Sequence, residues 1–248
     1  MNICLAGQDP ISQSQKEIIR KKLKPFILES FIQVNDKSAR LLKYYPFYML
    51  DSGAFTFINS GKSIVKHDLI KYVDRYIAYI NKYDIKLFFE MDIDKIIGYK
   101  NVRDIRAYIN SETGKKCIPV WHAPRGYKEY CKMCESHDYV AIGGTASGEF
   151  PKDKRYLIPR LIKEAHRYKT KIHGLGFTKF TKLPTHHFDS VDSTSWLTGV
   201  RFGHLYKFTG TKLKKIERPP GTKCRYKEVA ARNFIEWVKF QKWAVRSL

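Results

Sequence analysis

The chain has 248 residues, 43% hydrophobic and 14% aromatic, enough to bury one sizeable core, and a single domain over 1–248 is expected. Lys and Arg number 46 against 24 Asp and Glu, and the resulting formal charge of +22 gathers polyanions, which points to nucleic acid as the partner. An anionic membrane would suit that charge too, but Met1-Asn2-Ile3-Cys4-Leu5-Ala6 has no basic n-region and too short an apolar stretch for a signal peptide or a span, and five dispersed cysteines argue against a secreted disulfide framework, so a cytoplasmic protein is expected.

Strand-like runs occur at 2–6, 46–51, 86–91, 117–121, 138–143, 171–175, 187–191 and 203–208. Between most of them lie amphipathic stretches, such as Leu69, Ile70, Val73, Ile77 and Ile80, or Leu157, Leu161, Ile162 and Ala165, at helical spacing. Alternating strands and helices imply a parallel sheet, and eight strands imply closure into a (β/α)8 TIM barrel of the α/β class. The gap between the first two strands is long, and the connection 177–186 contains a proline and is too short for a full helix. Residues 225–246 read as a terminal helix with Ala230, Phe234, Trp237, Val238 and Gln241 along one side.

A barrel of this kind presents its chemistry at the carboxyl ends of its strands. Four short apolar runs end in acidic or glycine-rich residues. Phe188-Asp189-Ser190-Val191-Asp192 sets two carboxylates three residues apart. Asp51 follows Tyr48-Met49-Leu50 and precedes Ser52-Gly53-Ala54, where it is either the cap of an Asx-turn or a catalytic acid. Alternation points Glu90, Asp92 and Asp94 to one side; they form either a set of carboxylates that perturb one another's proton affinity or a helix N-terminus lined with acids. Gly143-Gly144-Thr145-Ala146-Ser147-Gly148-Glu149 lacks the spacing of a P-loop or a dinucleotide fingerprint, but its backbone N–H and C=O groups suit the edge of a flat heterocycle, with Glu149 as a charged acceptor.

Cys131-Lys132-Met133-Cys134 has zinc spacing but no second pair, and fits a helix packed on the sheet; no metal or other cofactor is expected. His186 and His187 read as solvated loop residues, and Cys4, Cys117 and Cys224 as plain thiols. The segment from about 207 to the C-terminus is basic: between Lys207 and Lys227, Lys207, Lys212, Lys214, Lys215, Arg218, Lys223, Arg225 and Lys227 stand against a single Glu217, interleaved with Tyr206, Phe208 and Tyr226, either as a solvated charged face or, as the net charge favours, for phosphate tracking with base stacking.

Taken in order, Asp-Ser-Gly-Ala-Phe (51–55), a strand closing on Asp92, Val-Trp-His (120–122), Tyr-Val-Ala-Ile-Gly-Gly (139–144) with Gly148-Glu149, His-Gly-Leu-Gly (173–176) and Asp-Ser-Val-Asp-Ser (189–193) resemble the queuine/archaeosine tRNA-guanine transglycosylases over about 46–208. The resemblance implies a (β/α)8 barrel that exchanges guanine in nucleic acid for a free 7-deazaguanine base. It implies Asp192 as nucleophile on the sugar C1′, Asp51 as general acid/base and Phe55 stacking on the base. It also implies Asp92 reading the purine edge, His122 at the place of a base-binding Gln, Gly143, Gly144 and Thr145 giving backbone contacts, Glu149 beside them, and His173 on the other ring face. Arg201-Phe202-Gly203 matches an Arg-x-Gly that engages the substrate.

Ala54 replaces a Gly of the family pattern, Ser193 a Cys and His122 a Gln, and the C-terminal zinc motif is absent, since the one cysteine after Asp192 is Cys224. A compact barrel without the zinc subdomain is similar to the DNA-guanine transglycosylases of bacterial and phage 7-deazaguanine (preQ0-type) DNA modification, which would act in the cytoplasm, or the host's for a phage protein. DNA is therefore the expected partner. The same reaction on tRNA, and a non-catalytic nucleic-acid-binding barrel, are the alternatives.

Overall fold

The computed structural model describes residues 1–53, 66–145, 148–177, 180–217 and 225–248. Seven strands, β1 (Asn2–Leu5), β2 (Phe26–Ser30), β3 (Phe47–Asp51), β4 (Val120–Trp121), β5 (Tyr139–Ile142), β6 (Lys171–Gly174) and β7 (Ser190–Ser193), form one curled parallel sheet in the order β3-β2-β1-β7-β6-β5-β4. The expected strand at 86–91 forms only two isolated parallel bridges, Leu50↔Phe88 to β3 and Phe89↔Ile118 to the residue two before β4. The Phe89 N–H donates to Leu50 O, and the Glu90 N–H to Ile118 O, both at 3.0 Å.

A parallel sheet is covered on both faces, so its strands are apolar at successive positions rather than alternately. Cys4, Ala6, Leu28, Met49, Phe89, Ile118, Val120 and Ala141 form one buried cluster, the inner face. Their strand neighbours point outward to helices, which in chain order are α1 (Gln13–Leu23), α2 (Asp36–Ala39), α3 (Lys66–Lys82), α4 (Asp94–Ile97), α5 (Tyr99–Thr113), α6 (Gly126–Ser136), α7 (Ile158–Arg167), α8 (Leu183–His186), α9 (Thr198–Phe202) and α10 (Tyr226–Ser247). Leu50 and Phe88 pack with Val73, Tyr76 and Ile80 of α3 and Val102 and Ile109 of α5. Val140, Ile142, Ile172 and Val191 pack with Tyr130, Met133 and Cys134 of α6 and Leu161, Ile162 and Ala165 of α7. Cys131-Lys132-Met133-Cys134 is thus helical, and two of its four residues are core. Ile70, placed by its spacing on the buried stripe of α3, is exposed.

The terminal helix is as expected: Ala230, Phe234, Trp237, Val238 and Gln241 of α10 are all buried. Gln241 ties it to the sheet, its amide donating to Ile3 O at 2.6 Å and Phe26 O at 2.7 Å. Among its described residues, the connection 177–186 holds a 3-10 turn (Phe180–Lys182) and α8, in keeping with its length.

Two strand expectations are corrected. The run at 203–208 is no stave of the sheet: as β8 (His204–Phe208) it pairs antiparallel with β9 (Leu213–Glu217) in a separate hairpin. Tyr206 and Phe208 turn inward onto Trp237 and Phe240 of α10, and the N–H groups of both residues donate to Asn233 and Glu236 of that helix. Its place in the sheet is taken by β2, a run of only Phe26-Ile27-Leu28 before Glu29 and Ser30 that bears no strand expectation from the sequence. The last sheet strand also lies further along than 187–191, at Ser190–Ser193, which brings Ser190 and Asp192 onto one face. Among the described residues, no helix is long and apolar enough to cross a membrane.

Candidate active site

Asp51 ends β3 and Asp192 lies in β7, so the parallel sheet carries both to its carboxyl rim. Asp192 is buried, with the His173 ring nitrogen Nε2 at 3.2 Å from Oδ1 and the Gly176 N–H donating to the same oxygen at 2.6 Å. Asp51 accepts the Gly53 N–H at 3.1 Å and a hydrogen bond from the Ser30 hydroxyl at the end of β2. Burial pushes its carboxyl up to about 6; the Gly53 N–H pulls it down, and the charges of Asp92 and Asp192 raise it further. The Asx-turn and the perturbed acid are therefore the same residue. Gly53 adopts φ +65°, and a Cβ there would stand 2.6 Å from Ser30 Oγ, so the turn that presents Asp51 needs glycine.

Glu90, Asp92 and Asp94 do not act as one set. Glu90 has no exposed surface; it accepts the Val120 N–H at 2.9 Å and pairs with Arg106 at 3.1 Å and Arg125 at 3.3 Å. It is a structural anchor. Asp94 pairs with Arg125 Nε at 2.9 Å, while Asp92 turns to His122, with Oδ1 2.5 Å from Nε2. On the other side of that ring, Glu149 Oε2 lies 2.9 Å from Nδ1, off the line of a hydrogen bond, and Lys95 reaches Glu149 Oε1 at 2.9 Å. Burial lowers the proton affinity of His122, but the Asp92 hydrogen bond and the charges of Asp92 and Asp94 outweigh it and leave the imidazole above its ordinary value. A cavity of about 400 Å³ opens beside this row, lined by Asp94, Lys95, Tyr99, His122, Pro124, Arg125, Glu129 and Glu149.

Asp92, Asp94 and His122 bring three potential ligand atoms within 4.8 Å of one another and are the described residues best able to hold a metal. Arg125 already neutralises Asp94, so a cation would have to displace a guanidinium.

Gly143 lets His122 pack: a Cβ there would meet His122 Cε1 and Val120 Cγ1 at 2.8 Å. The loop it opens offers fewer polar groups than its sequence implies. The Gly143 N–H donates to Trp121 O, Gly144 O accepts the Phe150 N–H, and Thr145 donates to Leu175 O while its own carbonyl accepts Arg155. His173 also departs from expectation. It is fully buried on the inner face, tilted against Phe89 and turned to Asp192, so it underlies the site and cannot cover a ring face.

Arg201, on α9 directly after β7, is exposed, as are Lys207, Lys212, Lys214 and Lys215 on the hairpin and Arg225 at the start of α10. Lys215 pairs with Glu217 at 2.7 Å and Arg225 with Glu228 at 3.3 Å. Lys207 stands directly opposite Lys214 in the hairpin register, a like-charge pair that a bound anion would relieve. Phe55, Arg218, Lys223 and Cys224 lie outside the described residues.

Ser30, Gly176, Ser190 and Tyr139 were not singled out by the sequence, though all touch the site or its support. The signal for Ser190 is the two-residue spacing to Asp192, and that for Gly176 is the His-Gly-Leu-Gly turn; nothing local marks Ser30. No protein-family model matches this chain, and no curated protein matches it in sequence.

Proposed function

We propose that the protein is a DNA-guanine transglycosylase, a pentosyltransferase that replaces guanine in DNA by a free 7-deazaguanine of the preQ0 type, on a closed eight-stave (β/α) barrel. The closure is supported by residues 88–89, which bridge Leu50 of β3 on one side and Ile118, just before β4, on the other, where an eighth stave would lie. The single observation that carries the function is the pair of unequal carboxylates at one rim. Asp51 is half-buried and its carboxyl is lifted to about 6, while Asp192 is gripped on one oxygen by two donors. A carboxyl whose proton affinity is raised suits an acid/base role, and a carboxylate held by one oxygen suits a nucleophile.

In this reading the Asp192 carboxylate attacks C1′ of the target nucleoside as the C1′–N9 bond breaks, and the departing guanine takes a proton from Asp51. The enzyme then holds the sugar as a glycosyl ester. The incoming 7-deazaguanine gives its N9 proton to Asp51 as N9 attacks C1′, which frees Asp192, so both carboxyls return to their starting forms and no oxidant or energy source is needed. Asp92 and His122 read the Watson–Crick edge: Asp92 accepts from it, and the imidazole, whose proton affinity Asp92 and Asp94 raise, serves as a donor to a purine carbonyl. The nucleotide must leave its stack to reach the rim, at a cost of about a few kcal/mol, which phosphate contacts from Arg201, Lys207, Lys212 and Lys214 offset.

The test is nucleoside mass analysis of duplex DNA and of tRNA after incubation with protein and each candidate 7-deazaguanine. Modified nucleoside in DNA, lost in Asp192→Asn, is expected. Modification of tRNA alone would move the substrate to RNA, and tight, salt-sensitive binding without exchange on either polymer would make this a non-catalytic barrel.

A further inference from the structure

Four polar side chains run in a line under the rim, where the surrounding inner face is Cys4, Met49, Phe89 and Ala141. Asp192 Oδ1 lies 3.2 Å from His173 Nε2, His173 Nδ1 lies 2.5 Å from Ser190 Oγ, and Ser190 Oγ lies 2.6 Å from the Tyr139 hydroxyl. His173 and Ser190 have 0% exposure. Three adjacent strands supply the links, which climb from the amino end of β5 toward the carboxyl rim of β7: Tyr139 registers with Lys171, two residues before His173, and His173 registers with Ser190, two residues before Asp192. Tyr139 ends the line at the opposite side of the sheet, on a cavity of about 420 Å³ at the amino ends of the strands. An apolar residue would pack at position 173 with no partner to satisfy, so a buried imidazole there calls for a role.

With a neutral imidazole the line has one direction. A carboxylate only accepts, so His173 Nε2 carries the proton; Nδ1 then accepts from Ser190, and Ser190 Oγ accepts from Tyr139, with Met49 Sδ at 3.9 Å as a weak alternative acceptor for the serine. Among the described residues, both donors to Asp192, the His173 ring and the Gly176 N–H, address Oδ1. We infer that His173, held in its Nε2–H tautomer by Ser190 and Tyr139, is a positioning residue that pins Oδ1 of the nucleophile and leaves Oδ2 to attack the sugar. This inference rests on the transglycosylase reading above, and its first measurement stands apart from that reading.

That measurement is a long-range proton–nitrogen NMR spectrum of the full chain labelled in histidine, with the His173 signals assigned by their loss in His173→Gln. An Nε2–H tautomer is expected, with an Nδ1 shift that moves in Ser190→Ala; an Nδ1–H tautomer, or no response to Ser190→Ala, would overturn the relay whether or not the protein exchanges bases. The second is kinetic. His173→Leu should lower kcat about 10²-fold with KM for DNA unchanged, as expected for misplacement of a reacting group by about 1 Å. His173→Gln, which keeps an N–H near the Nε2 position, should recover most of that loss, and Ser190→Ala and Tyr139→Phe should show smaller falls in the same order. Equal rates in the Leu, Gln and wild-type proteins would refute a positioning role, as would a change confined to KM. Absence of exchange in the wild-type protein, with the expected tautomer present, would reject the transglycosylase reading and leave the relay standing.

Discussion

The charge of Asp192 reaches Asp51 across the carboxyl rim, adding to burial and to the charge of Asp92 in holding the Asp51 carboxyl at about 6. Between the ordinary value of 3.8 and about 6 this group binds more protons folded than unfolded. Its contribution to stability is fully present below 3.8 and is lost as the pH rises through about 6. Asp51→Asn removes the cost of burying the charge, so urea unfolding should find the variant more stable than wild type at pH 8 by about 1–3 kcal/mol, with the gap closing by pH 4. A variant less stable at pH 8 would show that the carboxylate is not held against its solvation. Glu29, pushed up to about 7 by burial, titrates over an overlapping window, so the comparison is between variant and wild type rather than along one curve.

Glu90 tests the scaffold beneath the site. It is fully buried and shared by Arg106 and Arg125, and Arg125 is itself almost wholly buried. Glu90→Ala leaves Arg106 without its buried anion, Arg125 with Asp94 alone and the Val120 N–H without its acceptor, and should cost about 3–5 kcal/mol in denaturant unfolding. A loss under 1 kcal/mol would mean that water or Asp94 takes over the pairing.

The Gly143 contact makes a sharper claim about base recognition. With a Cβ placed 2.8 Å from both His122 Cε1 and Val120 Cγ1, Gly143→Ala must push the imidazole off Asp92. A cost of about 1–3 kcal/mol in stability is expected, together with a raised KM for the incoming base and a smaller change in KM for DNA. Unchanged affinity for the base would remove His122 from the reading of the purine edge.

The hairpin lysines are not equivalent. Lys207 and Lys214 face each other without an acid between them, whereas Lys215 already pairs with Glu217. Lys207→Ala and Lys214→Ala should each weaken DNA binding and reduce the slope of log affinity against log salt by about 1, and Lys215→Ala should do less. Equal small effects from all three would place the DNA elsewhere on this basic surface.

The parts of the fold legible in the sequence were those with long or strongly patterned signals. The amphipathic stripe of α10 and the apolar runs that became β1, β3, β5 and β6 stand where spacing put them. β2 was hidden because three apolar residues before Glu29-Ser30 look like a loop until strands on both sides pair with them. The run at 203–208 carried a strand signal that was real but could not say which sheet it joined; the Thr209–Lys212 turn and the aromatic face of α10 decided that. At the site, Asp51, Asp92, His122 and Asp192 were visible as polar residues closing apolar runs. The pairing of His173 with Asp192, and the removal of Glu90 into an ion pair with two arginines, depend on contacts between strands that no local pattern encodes.

The proposed nucleophilic role of Asp192 is most directly tested by trapping the protein on DNA. Duplex DNA is incubated with the protein in the absence of incoming base, the mixture is denatured and digested, and the peptides are sequenced by mass spectrometry. A sugar-linked adduct on the peptide carrying Asp192, released by added 7-deazaguanine and absent from Asp192→Asn, is expected. An adduct on another residue, or base exchange by Asp192→Asn at the wild-type rate, would contradict it.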